Sequence, residues 1–64
     1  MKKNKLQNQG DEFEVEAIVA TRVLNNNRYY QVKWLNYGNE YNKWLPVSEL
    51  NNCADLVEEF ELNL

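Results

Sequence analysis

The chain has 64 residues, of which 44% are hydrophobic and 27% are charged, and its formal net charge is −3. This length allows one small folded domain, and the charged fraction is too low and too mixed in sign to indicate disorder. The chain has no histidine and a single cysteine, Cys53. It therefore cannot form an internal disulfide, lacks the usual zinc-site spacings, and has no imidazole base to activate its thiol. We expect no metal, no cofactor and no enzyme activity.

Residues 1–10 have the composition of an unpacked polar tail, rich in Lys, Asn and Gln and ending at Gly10. No signal-peptide or membrane-spanning apolar run follows, so we expect a soluble chain that its own sequence does not direct to secretion. The sequence predicts a flexible tail over 1–10 and a folded domain over 11–62. Without the tail lysines, four basic residues face ten acidic ones, and this balance of −6 favours cationic partners over nucleic acid.

Two strand-like segments joined by an asparagine turn follow the tail. The apolar residues of the first segment fall on alternate positions: Phe13, Val15, Ala17, Val19 and Val23. This is the period of a strand with one face inward, and Ile18, which breaks it, indicates a bulge or a change of face. Residues 25–27 are three asparagines, which tolerate left-handed backbone angles and favour a turn. The second strand, residues 28–34, places Tyr30, Val32 and Trp34 on one face.

A third strand and a helix complete the predicted architecture. A turn over residues 36–39 leads to a short strand at about 42–45, which Pro46 ends and in which Trp44 is the expected core residue. Apolar residues then recur at helical spacing: Cys53, Leu56, Val57, Phe60 and Leu64. Asn52 is the expected N-cap and Phe60 a further core residue. The fold class is α+β, with a three-stranded antiparallel curved sheet and a C-terminal α-helix packed across one end.

Eight aromatic residues are more than a core of this size needs. Phe13 opens the first strand, Trp34 ends the second, and Tyr37 lies in the turn that follows. The faces of aromatic rings attract a quaternary ammonium, which keeps its charge, lacks hydrogen-bond donors and sheds water easily. These three rings therefore suit a cage for a methylated ammonium, although any one of them taken alone would equally suit a core.

Four segments in this order resemble a chromodomain: residues 12–18, 30–37, 42–46 and 49–60. The likeness covers about residues 11–62 and is nearest to the heterochromatin-protein-one-like branch, which reads methyl-lysine. It implies an SH3-like partial barrel, a nuclear chromatin-bound protein, a monomeric isolated domain, and a methylated histone H3 tail as partner. In that branch the cage residues correspond to Phe13, Trp34 and Tyr37 here.

The resemblance also implies that the peptide is taken up as a strand between two stretches of the chain. The implied clasp consists of Glu12, Glu14, Val15, Glu16 and Ala17 on one side and Val47, Ser48, Glu49, Leu50 and Asn51 on the other. The three glutamates of the first stretch would meet a basic peptide, or would simply form a solvated strand face.

Several positions depart from the family pattern. Asn36 stands where glycine is usual, and asparagine also tolerates a left-handed turn. Leu45 replaces a common glutamate, Glu49 a common asparagine, and Tyr41 a common acidic residue, so Glu40 or Tyr41 is the candidate accessory residue of the cage. An alternative function is a retroelement integrase chromodomain, or another targeting module, that binds without strict dependence on methyl-lysine.

Overall fold

The computed structural model describes the backbone of residues 5–8 and 11–64 and the side chains from Phe13 onward. These residues form four strands, β1 (Lys5–Asn8), β2 (Asp11–Leu24), β3 (Asn27–Trp34) and β4 (Lys43–Pro46), and one helix, α1 (Ala54–Leu62). The strands form one antiparallel sheet in the order β1-β2-β3-β4. The predicted α+β architecture of three antiparallel strands and a C-terminal helix is thus confirmed, with β1 added at one edge.

The asparagine-rich turn between β2 and β3 forms as the sequence predicts. Asn25 and Asn26 have φ values of 54° and 66°, and they connect Leu24 to its cross-strand partner Asn27. Two consecutive residues with positive φ are typical of the tight hairpin turn whose twist matches that of the flanking strands, and asparagine adopts these angles more readily than other non-glycine residues.

The irregularity expected near Ile18 is also present in β2. The pairing of β2 with β3 shifts register between Val15 and Ala17 and again between Ile18 and Ala20. Val15 and Ile18 are both buried, at 4% and 8% exposure, whereas Val19 is 43% exposed. Each extra residue in one strand reverses the inward and outward positions beyond it. The first shift therefore turns Ile18 inward, and the second returns the odd positions to the inner face, with Thr21 opposite the buried Tyr30.

The inward face of β4 carries Leu45 rather than Trp44, which corrects the assignment of Trp44 to the core. Leu45 lies opposite the buried Tyr30 and is itself 7% exposed, whereas Trp44 lies opposite Gln31. Directly opposed residues share a face of the sheet, so Trp44 is on the outer face. There its ring contacts the guanidinium of Arg22, whose Cζ is 4.2 Å from the ring centroid.

The core lies between the sheet and α1. Its buried members are Val15, Ile18, Tyr30, Val32, Leu45, Leu50 and Cys53, and α1 packs Leu56, Val57 and Phe60 against them. The Tyr30 hydroxyl donates a 2.5 Å hydrogen bond to the Glu61 carboxylate and so ties the sheet to the helix. No helix in the described part of the chain is long and apolar enough to cross a membrane.

The start of the helix differs from the prediction at one residue. The N-cap is Cys53 rather than Asn52, because Asn52 belongs to a 3-10 turn, Asn51–Cys53, that leads directly into α1. Asp55 lies in the first turn of α1, where its carboxylate accepts a 3.0 Å hydrogen bond from the Leu56 amide. Carboxylates stabilise this end of a helix because its amides are otherwise unpaired.

Part of the N-terminal segment forms a strand. Residues 5–8 form strand β1, which pairs antiparallel with the first four residues of β2, Asp11 to Glu14. The strand order places β1 on the side of β2 opposite to β3. The remaining tail residues, 1–4 and 9–10, lie outside the described residues.

Candidate functional site: an aromatic cavity at the end of the sheet

The backbone around residues 34–37 brings three aromatic side chains together. Asn36 has a φ of 70°, as expected for a residue at the usual glycine position, and the Tyr37 amide donates a 3.2 Å hydrogen bond to the Trp34 carbonyl. This tight turn folds Tyr37 back beside the end of β3. The Leu35 amide donates to the Glu14 carbonyl at 2.9 Å, which holds the same turn against β2 next to Phe13.

The rings of this group meet edge to face. The centroid of Phe13 lies 6.0 Å from that of Trp34, at an interplanar angle of 63°, and 6.3 Å from that of Tyr37, at 71°. Tyr37 in turn contacts Tyr41, with centroids 5.5 Å apart and an angle of 69°. Rings at such angles present walls of different orientation to a common space, which is what a cation surrounded by π-faces requires.

These rings line one open cavity of about 570 Å³. The described residues that line it are Phe13, Trp34, Tyr37, Tyr41, Lys43, Leu45, Ser48, Glu49, Asn51 and Asn52. It therefore runs from the ends of β2 and β3, past β4, to the segment before α1. Tyr37 is 44% exposed and Tyr41 is 58% exposed, while Trp34 is half-buried because it also packs against the core.

A family model for the Chromo (CHRromatin Organisation MOdifier) domain matches residues 13–62. The chain belongs to the chromodomain family. It is 39% identical over 51 residues to the chromo domain-containing protein rhino of Drosophila melanogaster, covering 80% of this chain and 12% of that protein. It is 44% identical over 50 residues to the human testis-specific chromodomain protein Y 1, covering 77% of this chain and 9% of that protein.

A third relative is the histone-lysine N-methyltransferase, H3 lysine-9 specific, of Schizosaccharomyces pombe. It is 32% identical over 53 residues, covering 80% of this chain and 11% of that protein. The chain thus spans about an eighth of the length of these relatives or less. What is shared is the chromodomain, a non-catalytic module of chromatin-associated proteins, and the enzyme activity in the name of the yeast relative belongs to that protein.

The two accessory candidates of this chromodomain occupy different positions. Tyr41 follows the turn in a 3-10 segment, Asn39–Tyr41, and its ring extends the aromatic wall beyond Tyr37. The Glu40 carboxylate instead lies against Gly38, and Glu40 is not among the described residues that line the cavity. Glu49 is the one carboxylate among the described residues that line the cavity.

The residues of the implied clasp lie in different environments. Ser48, Glu49 and Asn51 line the cavity, whereas Val15 and Leu50 are buried in the core, and the backbone N–H and C=O of Leu50 are already hydrogen-bonded to Val47 and Cys53. Glu16 is the extra residue at the first register shift. Its carboxylate forms a salt bridge with the Lys33 ammonium, with 2.6 Å between Oε1 and Nζ. The others are the half-buried Glu14 and Ala17 and the exposed Val47; the side chain of Glu12 lies outside the described residues.

The sequence reasoning missed Lys43, Leu45 and Asn52 as lining residues. The signal for the first two was present in the period of β4: once Leu45 is placed inward, Lys43 lies on the same face, opposite Val32. If Trp44 is taken as the inward residue instead, Lys43 and Leu45 are both assigned to the outer face. Asn52 carried no such signal, because it lies in a 3-10 turn with no regular inward face.

Two ionisable groups of the core have raised pKa values. Burial, together with the hydrogen bond to Glu61, raises the pKa of Tyr30. Burial, with a smaller contribution from the charge of Asp55, raises the pKa of the Cys53 thiol, which is fully buried. Neither group is suited to act as a nucleophile at neutral pH. Among the described residues, no group of three or more potential ligands could hold a metal ion.

Proposed function

We propose that this chromodomain reads a methylated lysine on a histone H3 tail, in a di- or trimethylated state of the heterochromatin type, and so acts in the nucleus on chromatin. The methylammonium enters the space bounded by Phe13, Trp34 and Tyr37. The observation that carries the proposal is the edge-to-face arrangement of these three rings around one open cavity. Each ring contributes about 0.5 to 2 kcal/mol to holding the cation.

The surroundings of the cavity suit a basic peptide. The chain beyond the N-terminal lysines carries an excess of acidic residues, and Glu49 lines the far part of the cavity. An acidic surface raises the local concentration of a cationic ligand and disfavours nucleic acid. The exposed ring of Tyr41 extends the aromatic wall and is a fourth contact for the methylated side chain or for the residue beside it.

The proposal is tested by titrating matched H3 peptides, with and without trimethyllysine, while tryptophan fluorescence is followed. We expect the trimethylated peptide to bind on the order of ten- to a hundredfold more tightly, since the unmodified ammonium must give up its hydrogen bonds to water to contact the rings as closely. Tyr37→Ala should remove most of that preference. Tyr29→Ala is the matched control, because Tyr29 lies opposite Arg22 and Pro46 on the outer face of the sheet. Equal affinity for both peptides would exclude methyl-lysine reading.

A second candidate is a targeting module, of the kind found in retroelement integrases, that binds its partner without methyl dependence. Lys43 is the observation that favours it, because a cation lining the cavity opposes the entry of another cation. The two functions are separated by Lys43→Gln. If methyl-lysine is the ligand, this variant binds the trimethylated peptide more tightly than the parent does. If the ligand is an anionic or neutral segment, the trimethylated peptide gains no advantage over the unmodified one in either protein.

A further inference from the structure

The backbone edge of β2 that a peptide strand would need is already paired. A strand has two hydrogen-bonding edges. In β2 one edge pairs with β3 from Val15 onward, and over Asp11 to Glu14 the other edge pairs with β1. The register places Leu6 opposite Phe13, a ring of the cavity, and Lys5 opposite Glu14.

The position of β1 between two parts of the chain matches that of the expected ligand. Besides pairing with β2, β1 contacts the 3-10 turn Asn51–Cys53. It therefore lies between the beginning of β2 and the segment before α1. They overlap the two stretches, 12–17 and 47–51, between which the chromodomain resemblance implies that a histone peptide is taken up as a strand.

We propose that residues 5–8 act as an intramolecular competitor, a strand of the chain itself that closes the peptide groove and must leave before a foreign strand can pair with β2. This inference rests on the proposed function for the identity of the foreign strand. It concerns the backbone edge of β2 and not the rings of the aromatic cavity.

The energetics of such a competitor suit a reversible closure. A two-stranded hairpin is only marginally stable in water, so four residues of pairing are easily displaced. Because two residues separate β1 from β2, the competing strand is also always present at a high effective concentration. With an open fraction on the order of 10%, the apparent affinity for a peptide is lowered about tenfold.

The test opens and closes the groove by substitutions in the complete chain. In an antiparallel pair, neighbouring residues alternate between hydrogen-bonded and non-hydrogen-bonded positions. One of the two neighbours Leu6 and Gln7 therefore donates its amide to β2. The double variant Leu6→Pro/Gln7→Pro removes that donor whichever of the two residues provides it. The matched variant Leu6→Val/Gln7→Thr keeps the donors and raises strand propensity at the same positions. Both leave the net charge unchanged.

We expect the proline variant to bind the trimethylated H3 peptide about tenfold more tightly than the parent, and the Val/Thr variant to bind it more weakly than the parent. Both should keep the parent's ratio between trimethylated and unmodified peptide, because the rings are untouched. A proline variant that binds the peptide no better than the parent would overturn the competitor, since it would make β1 irrelevant to binding or a part of the binding surface.

Hydrogen exchange of the backbone amides separates this failure from a failure of the proposed function. In the parent, the hydrogen-bonded amides among residues 5–8 should exchange about tenfold more slowly than free amides, and in the proline variant the amides that remain there, those of Lys5 and Asn8, should exchange freely. Adding the trimethylated peptide to the parent should release residues 5–8 while residues 11–14 stay protected. If no variant distinguishes the two peptides, methyl-lysine reading fails but the exchange pattern still tests the closure. Unprotected amides over residues 5–8 in the parent would refute the closure itself.

Discussion

Two aromatic pairs in this chromodomain have the same separation and opposite environments. Tyr30 and Phe60 are 6.3 Å apart at 88°, and Phe13 and Tyr37 are 6.3 Å apart at 71°. The first pair lies between the sheet and α1, where Tyr30 is 3% exposed, whereas Tyr37 is 44% exposed. Ring geometry alone therefore does not mark a binding site. What distinguishes the two regions is the presence of a helix over one pair and its absence over the other.

The largest effect should come from the covered region. Leu50→Ala removes a side chain that is 2% exposed, so we expect the free energy of unfolding to fall by about 2 to 5 kcal/mol. Tyr37→Ala, at the open end, should change it by much less, because that ring is already partly hydrated. Denaturant unfolding of both variants measures the contrast. A Leu50→Ala variant as stable as the parent would mean that Leu50 belongs to the peptide surface rather than to the core.

The features that could be predicted from the sequence are those with a strong local signal. Three consecutive asparagines fixed the turn after β2, and Ile18 out of phase with its neighbours marked the bulge. The grouping of Phe13, Trp34 and Tyr37 followed from the family resemblance more than from spacing, because residues this far apart in sequence meet only through the sheet register.

The features that were not predicted are set by tertiary contacts. Trp44 is the larger hydrophobic residue of its strand, and its size predicts an inward position, but pairing with β3 puts Leu45 there. Leu50 has no periodic neighbours, because it lies between two 3-10 turns, Val47–Glu49 and Asn51–Cys53. Strand β1 has no alternation of apolar and polar residues that would predict a strand. It pairs with β2 through backbone hydrogen bonds, which any side chain allows, so the sequence carries no signal for it.

A smaller effect should follow from Tyr30→Phe, which removes the hydroxyl that donates to Glu61 but keeps the ring against Phe60. We expect a loss of about 1 kcal/mol in the free energy of unfolding, and an unchanged affinity for the trimethylated peptide. Thermal or denaturant unfolding and the peptide titration check the two parts. A change in affinity equal to that of Tyr37→Ala would show that the covered and open regions are coupled.

The pH dependence of the same pair of proteins sharpens this contrast. The pKa of Tyr30 is raised in the folded state, so the stability that it contributes is fully present below the ordinary tyrosine value near 10 and is lost as the pH rises through the folded pKa. The Tyr30→Phe variant has no hydroxyl to ionise at residue 30, so it does not lose stability in this way at high pH. The stability difference between parent and variant should therefore narrow above about pH 10, and a difference that widens there would contradict the burial of the hydroxyl.

The smallest effect on stability concerns the two tryptophans, which lie on opposite faces of the sheet. Trp34 lines the cavity and packs against the core, while Trp44 lies on the outer face under Arg22. An exposed cation–π contact is worth about 0.5 to 1 kcal/mol. Arg22→Gln should lower the free energy of unfolding by about that amount, and should do so only while Trp44 is present.

A double-mutant cycle with Arg22→Gln and Trp44→Leu isolates this contact from the other roles of each residue. We expect a coupling energy of about 0.5 kcal/mol or slightly more, and no change in peptide affinity in any of the three variants. Were Trp44→Leu alone to cost as much as Leu50→Ala, Trp44 would be a core residue and the assignment of the inner face to Leu45 would fail. A loss of peptide binding in Trp44→Leu would instead show that the peptide binds on the outer face of the sheet, which carries none of the cavity rings.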